Sequence, residues 1–354
     1  MHGIIFNLKT ITMKTIFIKT LTLVVAAFLL SSCSKDDDPI QQPLPTIKSV
    51  YVVGYDNNTA GKSVAKLWKD GILSPLSDGT LDNYAEDVFV SGTDVYVAGS
   101  EINSSGIEVA KLWKNGVPTL YPDGVVLYKV FVSGIDVYAV GYDGNRAKVW
   151  KNGVGTFLTP VGSVSRAYSV FVSGTDVYVA GYEVQAAVSV AKVWKNGVGI
   201  VLGDEVKNSV AYDVKVLNGD AYVVGTQNNG SNISVAKVWR NTTTLYNLTN
   251  GTVSGIAYSF VIDGNDVIVA GHERNGVGGS FMGRIWINGT TVLTFNDGTK
   301  NVNWLGIAKD GNDMYMVGNE KEGTSFSSMI WKSNLSSTLL SSNDEAIATG
   351  VFIK

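Results

Sequence analysis

The sequence predicts an all-β fold, a closed ring of seven four-stranded antiparallel sheets over residues 49–354. Three observations lead to this prediction. Two short phrases recur seven times, the first of them at intervals of 40 to 47 residues. Tight-turn signals divide each repeat into four short strands, and the chain ends with a strand that its first repeat lacks. Periods of 20–50 residues are typical of repeat architectures.

The first phrase alternates apolar residues and ends in glycine, as in YVAG. Its glycines are Gly54, Gly99, Gly141, Gly181, Gly225, Gly271 and Gly318. The second phrase, as in AKVW, accounts for seven of the eight tryptophans: Trp68, Trp113, Trp150, Trp194, Trp239, Trp286 and Trp331. A large apolar side chain fixed inside a strand is typical of a packed core. We therefore expect these tryptophans to fill the space between sheets, and each phrase glycine to let a neighbouring sheet approach closely.

Each repeat contains strands A to D. Their patterns are illustrated by Tyr168–Val172, Asp176–Gly181, Val190–Lys195 and Gly199–Leu202. Asn-Gly and Asp-Gly pairs favour tight hairpins because both central residues tolerate positive φ. Short strands that are apolar on both faces fit sheets that are buried on both sides.

The chain ends predict how the ring closes. The first repeat begins at Ser49 with strand B, and the last segment, Ala346–Lys354, matches strand A elsewhere, such as Ala85–Ser91. Pairing the two ends would close the ring and remove its exposed edges. From Ser49 to Lys354 the sequence resembles seven-bladed β-propellers, without the Gly-His/Trp-Asp pattern of WD repeats or the Gly-Gly pattern of kelch repeats.

The N-terminal segment predicts export. Lys14 and Lys19 precede Leu21–Leu30, an apolar run of ten that is too short for a comfortable membrane span and typical of a signal-peptide core. The run ends before Cys33, the only cysteine, and this arrangement resembles a bacterial lipobox. We expect residues 1–32 to be a lipoprotein signal peptide, with Met13 as a plausible true start, and residues 33–48 to be a lipidated tether.

Ser34–Asp38 (SKDDD) is similar to signals that send Gram-negative lipoproteins to the outer face of the outer membrane; the alternative is an ordinary charged tether. The resemblance implies a bacterial outer-membrane lipoprotein, with the membrane as a partner through its lipid. A lipidated Cys33 leaves no thiol for disulfides, metal binding or catalysis.

Composition and motifs exclude several functions. A net charge of −3 and a pI of about 5.5 give no support to nucleic-acid binding, which usually depends on a basic patch. No metal-ligand spacing, phosphate loop or nucleophile elbow is present, so we expect no cofactor and no metal. His272 is the only histidine outside the predicted signal peptide, and we expect it at the surface. We also expect a monomeric ring.

The repeats differ from one another mainly at one face. The step from strand-B glycine to tryptophan varies from 9 to 15 residues, whereas the step across the C–D turn is 3 in five repeats. In a propeller the B–C and D–A loops share one face. Because binding residues concentrate on loops that a rigid scaffold holds, we expect the site at the B–C/D–A face.

Two sets of side chains are candidates at that face. The first set is an acid two residues after the strand-B glycine: Asp56, Glu101, Asp143, Glu183, Glu273 and Glu320. It is either a ring for cations or, as we prefer, half of a set of structural pairs with bases two residues before six of the seven repeat tryptophans. The second set is aromatic and lies near the start of strand A: Tyr84, Tyr128, Tyr168, Tyr212, Tyr258 and Trp304. It either binds a ligand at the channel mouth, or plugs the channel and packs on neighbouring blades, and Trp304 is our first choice for a binding residue.

The function predicted best is a non-enzymatic, surface-displayed binding module for a glycan or a protein, since catalytic signals are few. An assembly scaffold within an outer-membrane complex is the alternative. A polysaccharide hydrolase or lyase is a weaker one, because a sequence does not reveal the carboxylate separation on which such chemistry depends.

Overall fold

A computed structural model describes residues 48–295, 300–334, 336–342 and 345–354. The predictions for Cys33, the signal peptide and most of the tether lie outside the described residues. The described part is built from 28 strands, and none of its segments forms a helix long and apolar enough to cross a bilayer.

The strands form seven four-stranded antiparallel sheets, here called blades 1 to 7. Blade 1 contains β1 (Val50–Asn57), β2 (Ser63–Lys69), β3 (Ile72–Pro75) and β28 (Ile347–Ile353). Blade 2 contains β4 (Asn83–Ser91), β5 (Asp94–Ile102), β6 (Glu108–Lys114) and β7 (Val117–Tyr121). Blade 3 contains β8 (Val126–Ser133), β9 (Asp136–Asp143), β10 (Arg146–Lys151) and β11 (Val154–Phe157). Blade 4 contains β12 (Ser165–Ser173), β13 (Asp176–Gln185), β14 (Val188–Lys195) and β15 (Val198–Val201).

The remaining three blades repeat the same order. Blade 5 contains β16 (Ser209–Leu217), β17 (Asp220–Asn228), β18 (Ser234–Arg240) and β19 (Thr243–Asn247). Blade 6 contains β20 (Gly255–Asp263), β21 (Asp266–Arg274), β22 (Phe281–Ile287) and β23 (Thr290–Phe295). Blade 7 contains β24 (Asn301–Asp310), β25 (Asp313–Glu322), β26 (Ser325–Lys332) and β27 (Ser337–Ser341).

The ring is closed as the split repeat predicts. Each strand A contacts the strand A of the next blade, from β28 through β4, β8, β12, β16, β20 and β24 back to β28. The C-terminal β28 pairs with β1, and Ser49 and Lys354 exchange two backbone hydrogen bonds of 2.6 and 3.0 Å. The predicted seven-bladed β-propeller, with four antiparallel strands in each blade, is confirmed.

The Asn-Gly turns between strands C and D adopt the left-handed backbone that favours these residues. Asn115 has φ 52° and Gly116 has φ 79°. The Asn115 side chain accepts a hydrogen bond from the Val95 amide and donates one to Asp94, each of 2.8 Å, so it joins the C–D turn to the A–B turn. The same asparagine–aspartate pair recurs in blades 3 to 6. The A–B and C–D turns lie on what we call the uniform face. They are alike in most blades because these hydrogen bonds stabilise each blade.

The seven repeat tryptophans lie between blades, where each is at most 3% exposed. Trp113 of blade 2, for example, packs against Val53 and Ala65 of blade 1, and its indole Nε1 donates a 2.9 Å hydrogen bond to the carbonyl of Leu76. A tryptophan in each blade thus covers the face of the blade before it, as the repeat predicts.

Every strand A carries a β-bulge, and the strand-B glycine lies opposite it. In blade 2, Ala85 pairs with Gly99 and Asp87 pairs with Ala98, so Glu86 is the extra residue. A Cβ added to Gly99 would lie 1.9 Å from the carbonyl oxygen of Tyr84 in the same blade. All seven glycines have such a contact, at 1.8 to 2.0 Å. The expectation that they admit a neighbouring blade is therefore wrong, because they accommodate the bulge of their own blade.

Candidate functional site

The bulges determine which side chains line the central channel. An extra residue lets two consecutive side chains of each strand A face the axis instead of one. The bulged residues, nearest the B–C/D–A face, form what we call the mouth ring: Glu86, Tyr128, Tyr168, Tyr212, Tyr258, Leu305 and Thr349. The residues that follow them form the polar ring: Asp87, Lys129, Ser169, Asp213, Ser259, Gly306 and Gly350, of which all but Ser169 line the cavity. Together with residues deeper in the channel they enclose a cavity of about 500 Å³.

The mouth ring contains an arc of four tyrosines on the consecutive blades 3 to 6. Neighbouring ring centroids are 5.1 Å apart between Tyr128 and Tyr168, 5.4 Å between Tyr168 and Tyr212, and 4.8 Å between Tyr212 and Tyr258. Each side chain is half-buried, and burial raises the pKa of all four phenols, so they stay protonated. Their hydroxyls make no hydrogen bond to any other described residue, which leaves them available to a ligand.

Two of the six aromatic candidates do not belong to this ring. Tyr84 lies two residues before the bulge, away from the cavity lining, and packs edge-on against Tyr55 with ring centroids 4.9 Å apart. Trp304 occupies the position that is Ala85 in blade 2, and it is 0% exposed. The ligand-binding interpretation is therefore wrong for these two residues, which pack on neighbouring blades as the alternative predicts.

Trp304 is instead a core residue between blades 6 and 7. Its ring packs against Phe295 at 4.6 Å and Trp331 at 5.9 Å between centroids. The strand-C residue that faces it is Gly283, where an added Cβ would lie 2.8 Å from the indole. The larger side chain on one blade is thus matched by the loss of a side chain on the other. GRIW in place of AKVW is the sequence signal of this exchange.

Glu86 and Leu305 occupy the mouth position in blades 2 and 7. A search of the sequence for aromatic residues near the start of strand A does not find them. Counting back from the A–B turn finds them, because the bulged residue always precedes that turn by the same number of positions. Glu86 lies six residues before Gly92, as Tyr168 does before Gly174.

Glu86 is the unusual charge of the channel. Burial, with added repulsion from Glu108 and Asp87, raises the pKa of its carboxyl to about 8. No cation or hydrogen-bond donor among the described residues contacts this carboxylate. At neutral pH the Glu86 carboxyl is therefore largely protonated.

The other two channel carboxylates have partners. Lys129 Nζ lies 3.1 Å from Asp87, and Lys215 Nζ lies 3.3 Å from Asp213. Asp213 also accepts a 2.6 Å hydrogen bond from Ser169. Burial alone would raise the pKa of Asp213, but Lys215, Lys129 and the Ser169 hydrogen bond outweigh it, so the pKa is lowered. The pKa of Asp87 is raised, because burial outweighs its contact with Lys129.

The acids after the strand-B glycines are held in ion pairs beside the B–C hairpins. Glu101 contacts Lys111, Asp143 lies 3.0 Å from Lys148, and Arg284 lies 3.1 Å from Glu273. Asp56 and Glu183 contact Lys66 and Lys192 in the same way, and Glu320 lies 3.6 Å from Lys300. Five of the six acids therefore contact the base that the sequence pairs with them. None of the six lines the cavity.

His272 is buried, and the expectation of a surface position is wrong. It is 3% exposed and lies between Tyr258 and Phe281, with ring centroids at 5.4 and 4.3 Å. The residue after a strand-B glycine faces the mouth tyrosines, as Tyr142 faces Tyr128. Neither imidazole nitrogen has a hydrogen-bond partner, and burial, with the charge of Arg274, lowers the pKa to about 4.

Below the polar ring the channel lining is mainly apolar, with Lys215 and Lys309 as its charged members. Phe89 lies between Phe352 and Phe131, with ring centroids 4.9 and 5.0 Å away, and Phe171 continues the row at 5.1 Å. Within the described ranges, no group of three His, Cys, Asp or Glu side chains is placed to hold a metal ion. The channel thus has an aromatic mouth, one carboxyl without a partner among the described residues, and a mainly apolar floor.

Comparison with known proteins shows the fold. The chain is similar to the β-propeller domain of the Trilobed protease from Pyrococcus furiosus, described as having an open velcro topology, with a TM-score of 0.50 and 11% identity over 84% of this chain and 93% of that one. It is also similar to the Pyrococcus horikoshii acylaminoacyl peptidase, with a TM-score of 0.50 and 12% identity over 83% of this chain and 50% of the peptidase.

A Mycobacterium tuberculosis puromycin-hydrolyzing peptidase is matched over 73% of this chain and 46% of that one, at 12% identity and a TM-score of 0.48. The chain thus spans about half the length of the two peptidases. No protein-family model and no curated protein matches the sequence. At such low identity, the likeness to the Pyrococcus furiosus β-propeller domain supports the fold alone and shows nothing about activity.

Proposed function

We propose that this chain is a non-enzymatic binding module whose ligand, part of a glycan or of a protein, enters the central channel from the B–C/D–A face. The observation that carries the proposal is the tyrosine arc, in which four half-buried rings present unpartnered hydroxyls to a cavity of about 500 Å³. Such rings supply flat apolar faces and hydrogen-bonding groups together, a combination common in ligand sites.

The channel carboxylates favour binding over cleavage. Glycoside hydrolases commonly use two carboxyl groups, one as acid and one as base or nucleophile. Asp87 and Asp213 are both held by lysines, so Glu86 is the one cavity-lining carboxylate without a partner among the described residues. A lone carboxyl suits recognition better than this two-carboxyl chemistry.

The test compares a mouth variant with a control variant on glycan and peptide arrays. The mouth variant carries Tyr168→Ala and Tyr212→Ala. The control is Tyr315→Ala, which removes a half-buried ring near the A–B turns, where Lys332 Nζ lies 5.2 Å from its centroid. We expect the mouth variant to lose about tenfold or more in affinity for any array ligand, and the control to keep it.

Thermal unfolding of both variants shows whether the ring is intact. Binding that survives in the folded mouth variant would contradict a channel site. A membrane protein that co-purifies with both variants would favour the assembly scaffold instead, and measurable cleavage of a polysaccharide would favour an enzyme.

Display on the cell surface is a second part of the proposal. Its support is the run Leu21–Leu30 before Cys33 and the SKDDD segment that follows. In a Gram-negative host we expect labelled palmitate to be incorporated into the wild type and not into Cys33→Ala. Added protease should digest the chain on intact cells, and protection from protease would contradict an outward orientation.

A further inference from the structure

The cations and anions near the channel are not evenly paired. The acids of the B–C hairpins and two of the three channel carboxylates contact a lysine or an arginine. Glu86 does not, although it belongs to the mouth ring and its side chain is half-buried in the cavity wall. A buried carboxylate without a partner is costly, so a ligand that supplies a positive charge would be favoured there.

The aromatic faces show a parallel imbalance. On the uniform face, the ring centroids of Tyr96, Tyr138 and Tyr178 lie 5.2 to 5.4 Å from a lysine ammonium of their own blade. No lysine or arginine among the described residues lies over the four mouth tyrosines. The face of an aromatic ring attracts a cation because of the ring quadrupole, most strongly where water is excluded.

From this juxtaposition we propose that the mouth ring binds a quaternary ammonium group, with Glu86 as its counter-ion and the tyrosine arc as its aromatic cage. The inference rests on the proposed function and names the chemical class of the group that enters the channel. A quaternary ammonium suits this wall because it donates no hydrogen bonds and is weakly hydrated. It therefore requires ring faces and one negative charge rather than a full set of acceptors.

Binding of such a cation is coupled to ionisation of Glu86. The titratable groups around that carboxyl are Asp87 on the same strand, Glu108 on β6, Tyr55 on β1 and Tyr128 on β8. Lys129 also lies nearby, but its ammonium contacts Asp87. The pKa of the Glu86 carboxyl is about 8. A cation bound beside this carboxyl would favour its deprotonated form, so the affinity for the cation would rise as the pH rises toward 8.

The experiment is a calorimetric titration of the full chain. It measures the affinities for choline and for its neutral isostere, 3,3-dimethylbutan-1-ol. At pH 8.5 we expect the wild type to bind choline about tenfold more tightly than the alcohol. Choline keeps its charge at every pH, so its affinity should fall by up to about tenfold per pH unit between pH 8 and 6. The affinity for the alcohol should not change over this range.

Three variants assign these effects to the mouth. Glu86→Gln should abolish the pH dependence and most of the preference for choline. Tyr212→Leu should weaken choline more than the alcohol. Tyr315→Leu is the matched control on the uniform face, with wild-type affinities for both compounds.

Either of two results would overturn the inference: equal affinities for choline and the alcohol in the wild type, or a choline affinity that Glu86→Gln leaves unchanged. If neither compound binds while an array ligand still requires Tyr168 and Tyr212, the cation proposal is refuted and the binding module stands. If no ligand depends on these tyrosines, both proposals fail.

Discussion

Replacing Glu86 by glutamine should stabilise the ring, and by an amount that grows with pH. The pKa of the Glu86 carboxyl is about 8 in the folded chain and 4.5 for an ordinary glutamate. Between these values the folded state binds more protons than the unfolded state, so the free energy of unfolding falls as the pH rises. At about 1.4 kcal/mol per pKa unit, the full shift corresponds to about 5 kcal/mol above pH 8.

The side chain of Glu86 is only half-buried, so solvent screens part of this cost, and we expect a smaller gain for Glu86→Gln, about 2 kcal/mol at pH 9. The gain should shrink as the pH falls toward 4.5 and approach zero below that value, where the carboxyl is protonated in both states. Urea unfolding of the wild type and the variant at pH 5, 7 and 9 measures the difference. Other titrating groups are common to both chains and cancel.

The matched control is Glu205→Gln, the same exchange at an exposed residue, which should follow the wild type within about 0.5 kcal/mol at each pH. A gain for Glu86→Gln that is the same at pH 5 and pH 9 would refute the assignment of Glu86 as a buried, unpaired carboxyl. This result is independent of any ligand, so it tests the premise of the cation proposal separately from the proposal itself.

Three further predictions concern the packing that holds the mouth in place. Gly99→Ala should cost at least about 3 kcal/mol or prevent folding, because its Cβ would lie 1.9 Å from the Tyr84 carbonyl oxygen. Gly230→Ala, where no atom lies within 4 Å, should change the urea midpoint little. Trp304→Ala should cost about 3–5 kcal/mol in the same assay, and a variant that unfolds as the wild type does would contradict its core position. The pKa of His272 is lowered from 6.5 to about 4, so the free energy of unfolding falls as the pH falls through this range. His272→Tyr should reduce that loss by about 1–3 kcal/mol. An acid unfolding transition that the variant leaves unchanged would contradict this prediction.

The architecture could be predicted from the sequence because seven repeats place the same residue types at the same packing positions. Each blade needs a tryptophan for the inter-blade space, a tight turn between strands C and D, and a strand-B glycine. The closing strand could be predicted because only a closed ring explains a repeat divided between Ser49 and Lys354. The hairpin charge pairs could be predicted for the same reason, since Glu101 and Lys111 recur at fixed positions.

The channel residues were harder to predict because the bulge breaks the two-residue period of strand A. After the bulge the side chains change faces by one position, and a residue type is then a poor guide to register. Tyr84 and Trp304 resemble the mouth tyrosines by chemistry, but they lie before the bulge and face the neighbouring blade. The strand-B glycine marks the bulge in the structure, but in the sequence it fits a close contact between blades equally well.

Symmetry is broken at the mouth in one contiguous sector. Blades 3 to 6 contribute tyrosines, whereas Leu305, Thr349 and Glu86 come from blades 7, 1 and 2 in succession. The middle member of that sector belongs to β28, the strand that closes the ring against β1. Thr349 donates a 2.7 Å hydrogen bond to the carbonyl of Ala85, which precedes Glu86. A ligand seated against Glu86 and Thr349 therefore binds only the closed ring, and by mass action it stabilises the pairing of the two chain ends.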